Sequence, residues 1–116
     1  MKRILGLLIL AAPIYAHAAN YATCLLDRLQ GLQNYPAANA AMNTCLKEHP
    51  GGFNNVEQGA GLGFLSKYDD PDTCTLELAA TTSSQAVASQ IRRACYRLYK
   101  EPEFTFDSHN ATPITR

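Results

Sequence analysis

The sequence predicts an all-α protein: two disulfide-stapled helical hairpins, about four helices in all, joined by a glycine-rich loop. Three observations carry this expectation. Cys24 and Cys45 lie 21 residues apart, Cys74 and Cys95 are separated by the same interval, and the second pair follows the first by 50 residues. Within each interval the apolar residues recur at helical rather than alternating spacing. Turn-forming residues stand near the middle of both intervals, where a hairpin has to reverse.

Before the first of these elements, residues 1–18 read as a signal peptide. Lys2 and Arg3 precede the apolar run ILGLLILAAPIYA, and Ala16-His17-Ala18 places small residues where a leader is cut. The run is shorter than the roughly 20 residues a bilayer-spanning helix needs, and no later stretch approaches that length. Cleavage near Ala18 and a periplasmic or secreted bacterial product without a stable membrane span are therefore expected. No cysteine directly follows the small-residue segment to accept a lipid. Of the 116 residues 98 stay, with 19–102 as a single helical domain and 103–116 as a flexible tail. The leader holds two of the ten Lys and Arg and none of the ten Asp and Glu, which leaves a formal charge of −2. Binding to nucleic acid or to a membrane surface favours a clearly basic balance, so neither is expected.

The first hairpin spans 21–49. Tyr21, Leu25, Leu29 and Leu32 form one helical face, Gly31 and Asn34 weaken that helix, and Pro36 suits the first turn of the next. Ala38, Ala41, Met42 and Cys45 supply the opposing face. The loop occupies 50–70, and Asp70-Pro71 marks the start of the second hairpin, 71–101. There Thr82-Ser83-Ser84-Gln85 fits a capping box, followed by a buried stripe through Val87, Ala88, Ile91, Ala94, Cys95 and Leu98. At the offset of 50, TCLLD (23–27) aligns with TCTLE (73–77), Ala38 with Ala88, and TCLK (44–47) with ACYR (94–97), the mark of an internal repeat.

Four cysteines allow three connectivities. A hairpin brings together residues equidistant from its turn, and the midpoints of 24–45 and 74–95 fall at 34–35 and 84–85, beside the predicted breaks. That geometry favours Cys24–Cys45 and Cys74–Cys95, each worth roughly 3 kcal/mol for a loop of this size; such bonds persist in an oxidising compartment. Redox, haem or zinc use of the cysteines would call for close C-x-x-C pairs, which the sequence lacks. An even, symmetric set also leaves no thiol for a nucleophile. His49 and His109 are expected to be solvated. Hence no catalytic residue, metal site or cofactor is predicted.

The loop, HPGGFNNVEQGAGLGFLSKYDDPD, is rich in glycine but does not match a phosphate cradle. It lacks G-x-x-x-x-G-K-[ST], and in GAGLGF a phenylalanine stands where a dinucleotide fingerprint has its last glycine. Its apolar residues Phe53, Val56, Leu62, Phe64, Leu65 and Tyr68 predict a segment that folds back over the hairpins, its glycines allowing close backbone approach. Residues 55–58, NVEQ, are read as one helical turn. Phe64 is expected in the core, where truncation would cost roughly 3 kcal/mol. On the last helix Arg93, Arg97 and Lys100 recur at helical spacing with Arg92 beside them. They suit the negative end of the helix dipole and are the candidate contact for an acidic protein partner in the cell envelope. In the tail, Phe104 and Phe106 alternate with polar residues.

The segments CLLDRLQGLQNYPAANAAMNTC, PGGFNNVEQGAGLGF and CTLELAATTSSQAVASQIRRACYRLYKEP resemble a group of small exported bacterial proteins in which a cysteine hairpin is duplicated around a glycine-rich centre. The resemblance covers most of the mature chain and implies the fold and export. It carries no catalytic residue over. The sequence thus points first to a non-enzymatic periplasmic or secreted interaction module, and second to an inhibitor or immunity protein acting on an envelope enzyme. An enzyme ranks third.

Overall fold

The computed structural model describes residues 20–103 together with the backbone of 106–107 and 112–113. The expected leader, His109 and most of the expected tail lie outside the described residues. The architecture is all-α: helices α1 (Tyr21–Leu29), α2 (Tyr35–Glu48), α3 (Pro71–Ala79) and α4 (Gln85–Tyr99), with a single 3₁₀ turn at Gly52–Asn55. Past the last helix, Phe106–Asp107 and Thr112–Pro113 form a short antiparallel pair.

Side-chain caps set where the helices begin. The Asn20 side chain accepts from the Thr23 backbone N–H at 2.9 Å while the Asn20 N–H donates to Thr23 Oγ1 at 3.1 Å, a reciprocal box that satisfies two otherwise orphaned groups. Asn34 caps α2 through Ala37 N–H at 2.9 Å, with Pro36 in the first turn as its fixed φ favours. Asp70 caps α3 through Thr73 N–H at 2.7 Å. The hydrogen bonds from the Thr73 backbone and hydroxyl hold the Asp70 carboxyl below the usual carboxylate range. For α4 the cap is Ser84, accepting from Val87 N–H at 3.3 Å, not Thr82 as the sequence suggested. Thr82 is still engaged by the preceding turn: its N–H bonds to Ala79 O, and its hydroxyl accepts from Ser84 N–H at 2.9 Å. Gln85 is consequently the first helical residue, too early to close a capping box.

α1 and α3 have bounds 50 residues apart, α2 and α4 begin 50 residues apart, and the caps Asn20 and Asp70, like Asn34 and Ser84, keep the same offset. Both predicted disulfides are present, Cys24–Cys45 with Cα atoms 5.8 Å apart and Cys74–Cys95 at 5.7 Å. Contacts run from α2 to α1, from α1 to α4 and from α4 to α3, so α1 and α4 are the inner helices. Leu25, Leu29, Val87, Ile91 and Leu98 are fully buried between them, with Cys45, Cys74 and Cys95. Leu32, Ala41 and Met42 pack half-buried at the margin of this core.

The two hairpin tips are clasped by hydrogen bonds. Gly31 N–H donates to Thr81 Oγ1 at 3.0 Å, and the Gln33 side chain donates to Thr81 O at 2.9 Å and accepts from Ser83 N–H at 2.8 Å. Among the described residues no helix is long and apolar enough to cross a membrane.

Candidate functional site

The glycine-rich loop closes the open end of the molecule by capping α4. A helix leaves its last four carbonyls without intrahelical partners, and here the loop supplies donors to three of them and to the Lys100 carbonyl beyond. Gly59 N–H donates to Arg97 O and Gly61 N–H to Leu98 O, both at 2.8 Å. The Gln58 amide donates to Tyr96 O at 2.7 Å and to Lys100 O at 2.9 Å. Gly61 makes this approach possible, because a Cβ there would lie 2.7 Å from Tyr99 Cε1. Behind these bonds Val56 and Tyr68 are buried, and the Tyr68 ring meets Tyr99 edge-on at 5.3 Å between centroids. Burial pushes the Tyr68 phenol up to about 12, and the neighbouring Glu77 carboxylate adds to the shift. Among the described residues the buried Tyr68 hydroxyl has no partner within ordinary hydrogen-bond geometry.

Two expectations for the loop are corrected. The helical turn lies at Gly52–Asn55 and not at 55–58, since Val56 is extended and turns its side chain into the core. Phe64 is not a core residue: it is 99% exposed and Leu65 is 89% exposed. The cause is local, for Ser66 N–H donates to Gly63 O at 3.1 Å and closes a tight turn with Phe64 and Leu65 as its outward central residues.

The predicted basic stripe becomes a mixed arginine and aromatic face. The Arg93 guanidinium lies 5.0 Å from the Phe53 ring centroid and that of Arg97 lies 6.0 Å from it, while Arg92 stands 4.7 Å over Tyr96. Phe53 is itself fixed edge-on against Tyr21 at 4.9 Å. Tyr96 is held by its hydroxyl, which donates to Asp72 at 2.7 Å. Such stacking, worth roughly 0.5–1 kcal/mol at an exposed site, orients the guanidinium plane and leaves its N–H edges available. The sole ion pair among the described residues is Arg28 with Glu48 at 2.9 Å, on the other hairpin. Among the described residues none of Arg92, Arg93, Arg97 or Lys100 is paired with an acidic side chain.

The candidate residues differ in how free they are. Arg93 is exposed and borders two shallow hollows, one of about 250 Å³ with Phe53 and Tyr21, the other of about 330 Å³ with Arg92 and Tyr96. Arg97 is half-buried and donates to Gln58 Oε1 at 3.4 Å, so part of its capacity serves the loop. Lys100 is exposed at the helix end, where its carbonyl takes the Gln58 amide. Sequence spacing found the cations but not Phe53, which lies 40 residues earlier and joins them only through the loop. Donor atoms of Cys24, Glu48 and His49 also gather within 4.8 Å of one another. This is not a workable metal centre, because the Cys24 sulfur is bound in a disulfide and Glu48 is paired with Arg28. Comparison with protein-family models, curated proteins and solved structures yields no match.

Proposed function

We propose that the protein is a small, exported, non-enzymatic interaction module of the bacterial envelope, periplasmic or secreted. Its contact face is built on α4 and the 3₁₀ turn, and it engages an acidic surface of a partner protein. The observation that carries this reading is the set of three guanidinium groups stacked on Phe53 and Tyr96 with no ion-pair partner among the described residues. An arginine pre-oriented in this way offers a planar, multi-donor edge to a carboxylate at reduced entropic cost, which is why arginine recurs at binding hot spots.

Export is supported by the leader at 1–18 and by two disulfides with no free cysteine. Cleavage near Ala18 also leaves Asn20, the cap of α1, in the mature chain. The common 50-residue offset of helices, caps and cysteines supports reading the two hairpins as copies of one unit.

Affinity capture of the purified protein's partner from envelope extracts, identification by mass spectrometry and titration of that partner test the proposal. Reversal of Arg93 to Glu is expected to weaken binding at least about tenfold, or roughly 1.4 kcal/mol, with helicity and both disulfides retained. Full affinity in the Arg93→Glu protein would rule out this face. A hydrolase recovered as partner and inhibited on binding would assign the module to the alternative class, an inhibitor or immunity protein.

A further inference from the structure

A second surface, sharing no lining residue with the hollows around Arg93, lies where the loop crosses α1 and α4. It is a groove of about 390 Å³, room for roughly a dozen waters. Its apolar lining comes from Leu26, Leu78, Leu98, Tyr68 and Tyr99. Leu65 lines it too while staying 89% exposed, and Phe64 beside it is 99% exposed. Two large apolar side chains on adjacent positions, presented by a hydrogen-bonded turn, are a strong departure from a solvated surface. The turn is also not a loose appendage: its stem is tied to α4 through Gly59 and Gly61, and Tyr68 is buried on its other side.

We infer that this surface is the contact between two copies of the chain, the Phe64-Leu65 turn of each seated in the groove of the other. A two-fold contact requires one patch to be complementary to itself. Here the apolar projection and the apolar groove adjoin on one face, so a two-fold rotation sets each projection opposite a groove. Charge fits the same operation. Asp27 lines the groove from α1 and Lys67 lines it from the loop, and neither has an ion-pair partner among the described residues. In the pair, Lys67 of one copy faces Asp27 of the other. A lipid surface is the weaker fit for the turn, because Asp69 and Asp70 follow directly on the same loop. With one two-residue turn of each copy as the apolar anchor, the contact belongs with small interfaces, and the pair is expected to be a weak, reversible dimer.

Sedimentation equilibrium of the purified, disulfide-bonded protein over a wide concentration range tests this. The natural chain is expected to show a reversible monomer to dimer equilibrium. Phe64→Asp should weaken it at least about tenfold without changing the far-ultraviolet spectrum, because the side chain has no core contact to lose. Asp27→Lys and Lys67→Asp should each weaken association, and the two together in one chain should restore it. A chain monomeric at every concentration, a dimer indifferent to Phe64→Asp, or a double reversal no better than either single one would each overturn the inference. So would a monomer whose Phe64-Leu65 turn instead mediates binding to phosphatidylglycerol vesicles.

Discussion

Adding one methyl group at Gly61 should separate the loop from the helix it caps. Gly61 does not require a left-handed backbone, so Gly61→Ala introduces no strain in φ and tests packing alone. The new Cβ would stand 2.7 Å from Tyr99 Cε1, 3.0 Å from Tyr99 Cζ and 3.1 Å from Leu98 Cβ. Tyr99 and Leu98 are both buried and cannot rotate away into solvent. Forcing an extra methyl into a packed site costs about 1–3 kcal/mol, while the stiffer unfolded chain returns about 0.4–1 kcal/mol. If the loop lifts to relieve the clash, it gives up the Gly59 and Gly61 bonds to α4, each worth about 1 kcal/mol. Either route predicts a net loss of about 1–2 kcal/mol.

Urea unfolding followed by far-ultraviolet circular dichroism reads this loss as a lowered midpoint at unchanged slope. Amide exchange adds the location, for the Gly59 N–H should lose protection more than the N–H groups of α1. An unchanged or raised midpoint, or full protection at Gly59, would refute the account of the loop as a packed cap.

Phe64→Ala, unfolded at protein concentrations well below the range in which the chain pairs, should leave the midpoint unchanged to within about 0.5 kcal/mol, as for other solvent-exposed sites. Tyr21, Tyr68 and Tyr99 all have phenols raised by burial, Tyr68 to about 12. A raised folded value stabilises the fold below the unfolded value, so stability should hold up to about pH 10 and fall between pH 10 and 12, measurable as the pH dependence of the urea midpoint. Non-reduced peptide mapping of the purified protein should recover Cys24 with Cys45 and Cys74 with Cys95 and no free thiol. Leu26→Ala should cost about 2–4 kcal/mol in the same urea assay, whereas Leu76→Ala, at the equivalent position 50 residues later, should cost less than about 0.5 kcal/mol.

Helices and disulfides were legible because each rests on signals local to its hairpin. Asn34-Tyr35-Pro36 and Asp70-Pro71 state a helix start by themselves, and the cysteine midpoints locate both reversals. The Thr82 cap was misplaced by two residues because a threonine hydroxyl serves a turn as readily as a helix end, and only the bond from Thr82 N–H to Ala79 O decides between them. Composition made the loop apolar enough to fold back, which it does through Val56, Leu62 and Tyr68. Composition does not say which aromatic points inward. The Gly63 to Ser66 turn settles that for Phe64, and a turn's facing depends on where its stems are tied. At the candidate site, the arginine spacing was visible and its aromatic supports were not, since Phe53 reaches α4 only through tertiary packing.

The order of the helices explains why two units with matching caps and cysteines share little else. α1 and α4 are inner helices and α2 and α3 outer ones, so equivalent positions meet different surroundings. Buried Ala22, Leu25 and Leu29 of α1 correspond to Asp72, Thr75 and Ala79 of α3, none of which is buried. Buried Val87, Ile91 and Leu98 of α4 correspond to Ala37, Ala41 and Glu48 of α2. At each of these positions the outer helix carries a small or polar side chain where the inner helix carries a core one, as its greater exposure to water favours. Cys24 and Cys74 keep one role because the bond inside a hairpin is the same in both units. The pattern also runs the other way at one position, where buried Leu78 of α3 corresponds to exposed Arg28 of α1. Leu26 and Leu76 separate position from residue type: the same residue at the same offset is 6% exposed in α1 and 76% exposed in α3. Position in the fold, not residue type, therefore sets what a side chain contributes, and the contrast between the two alanine substitutions measures that difference directly.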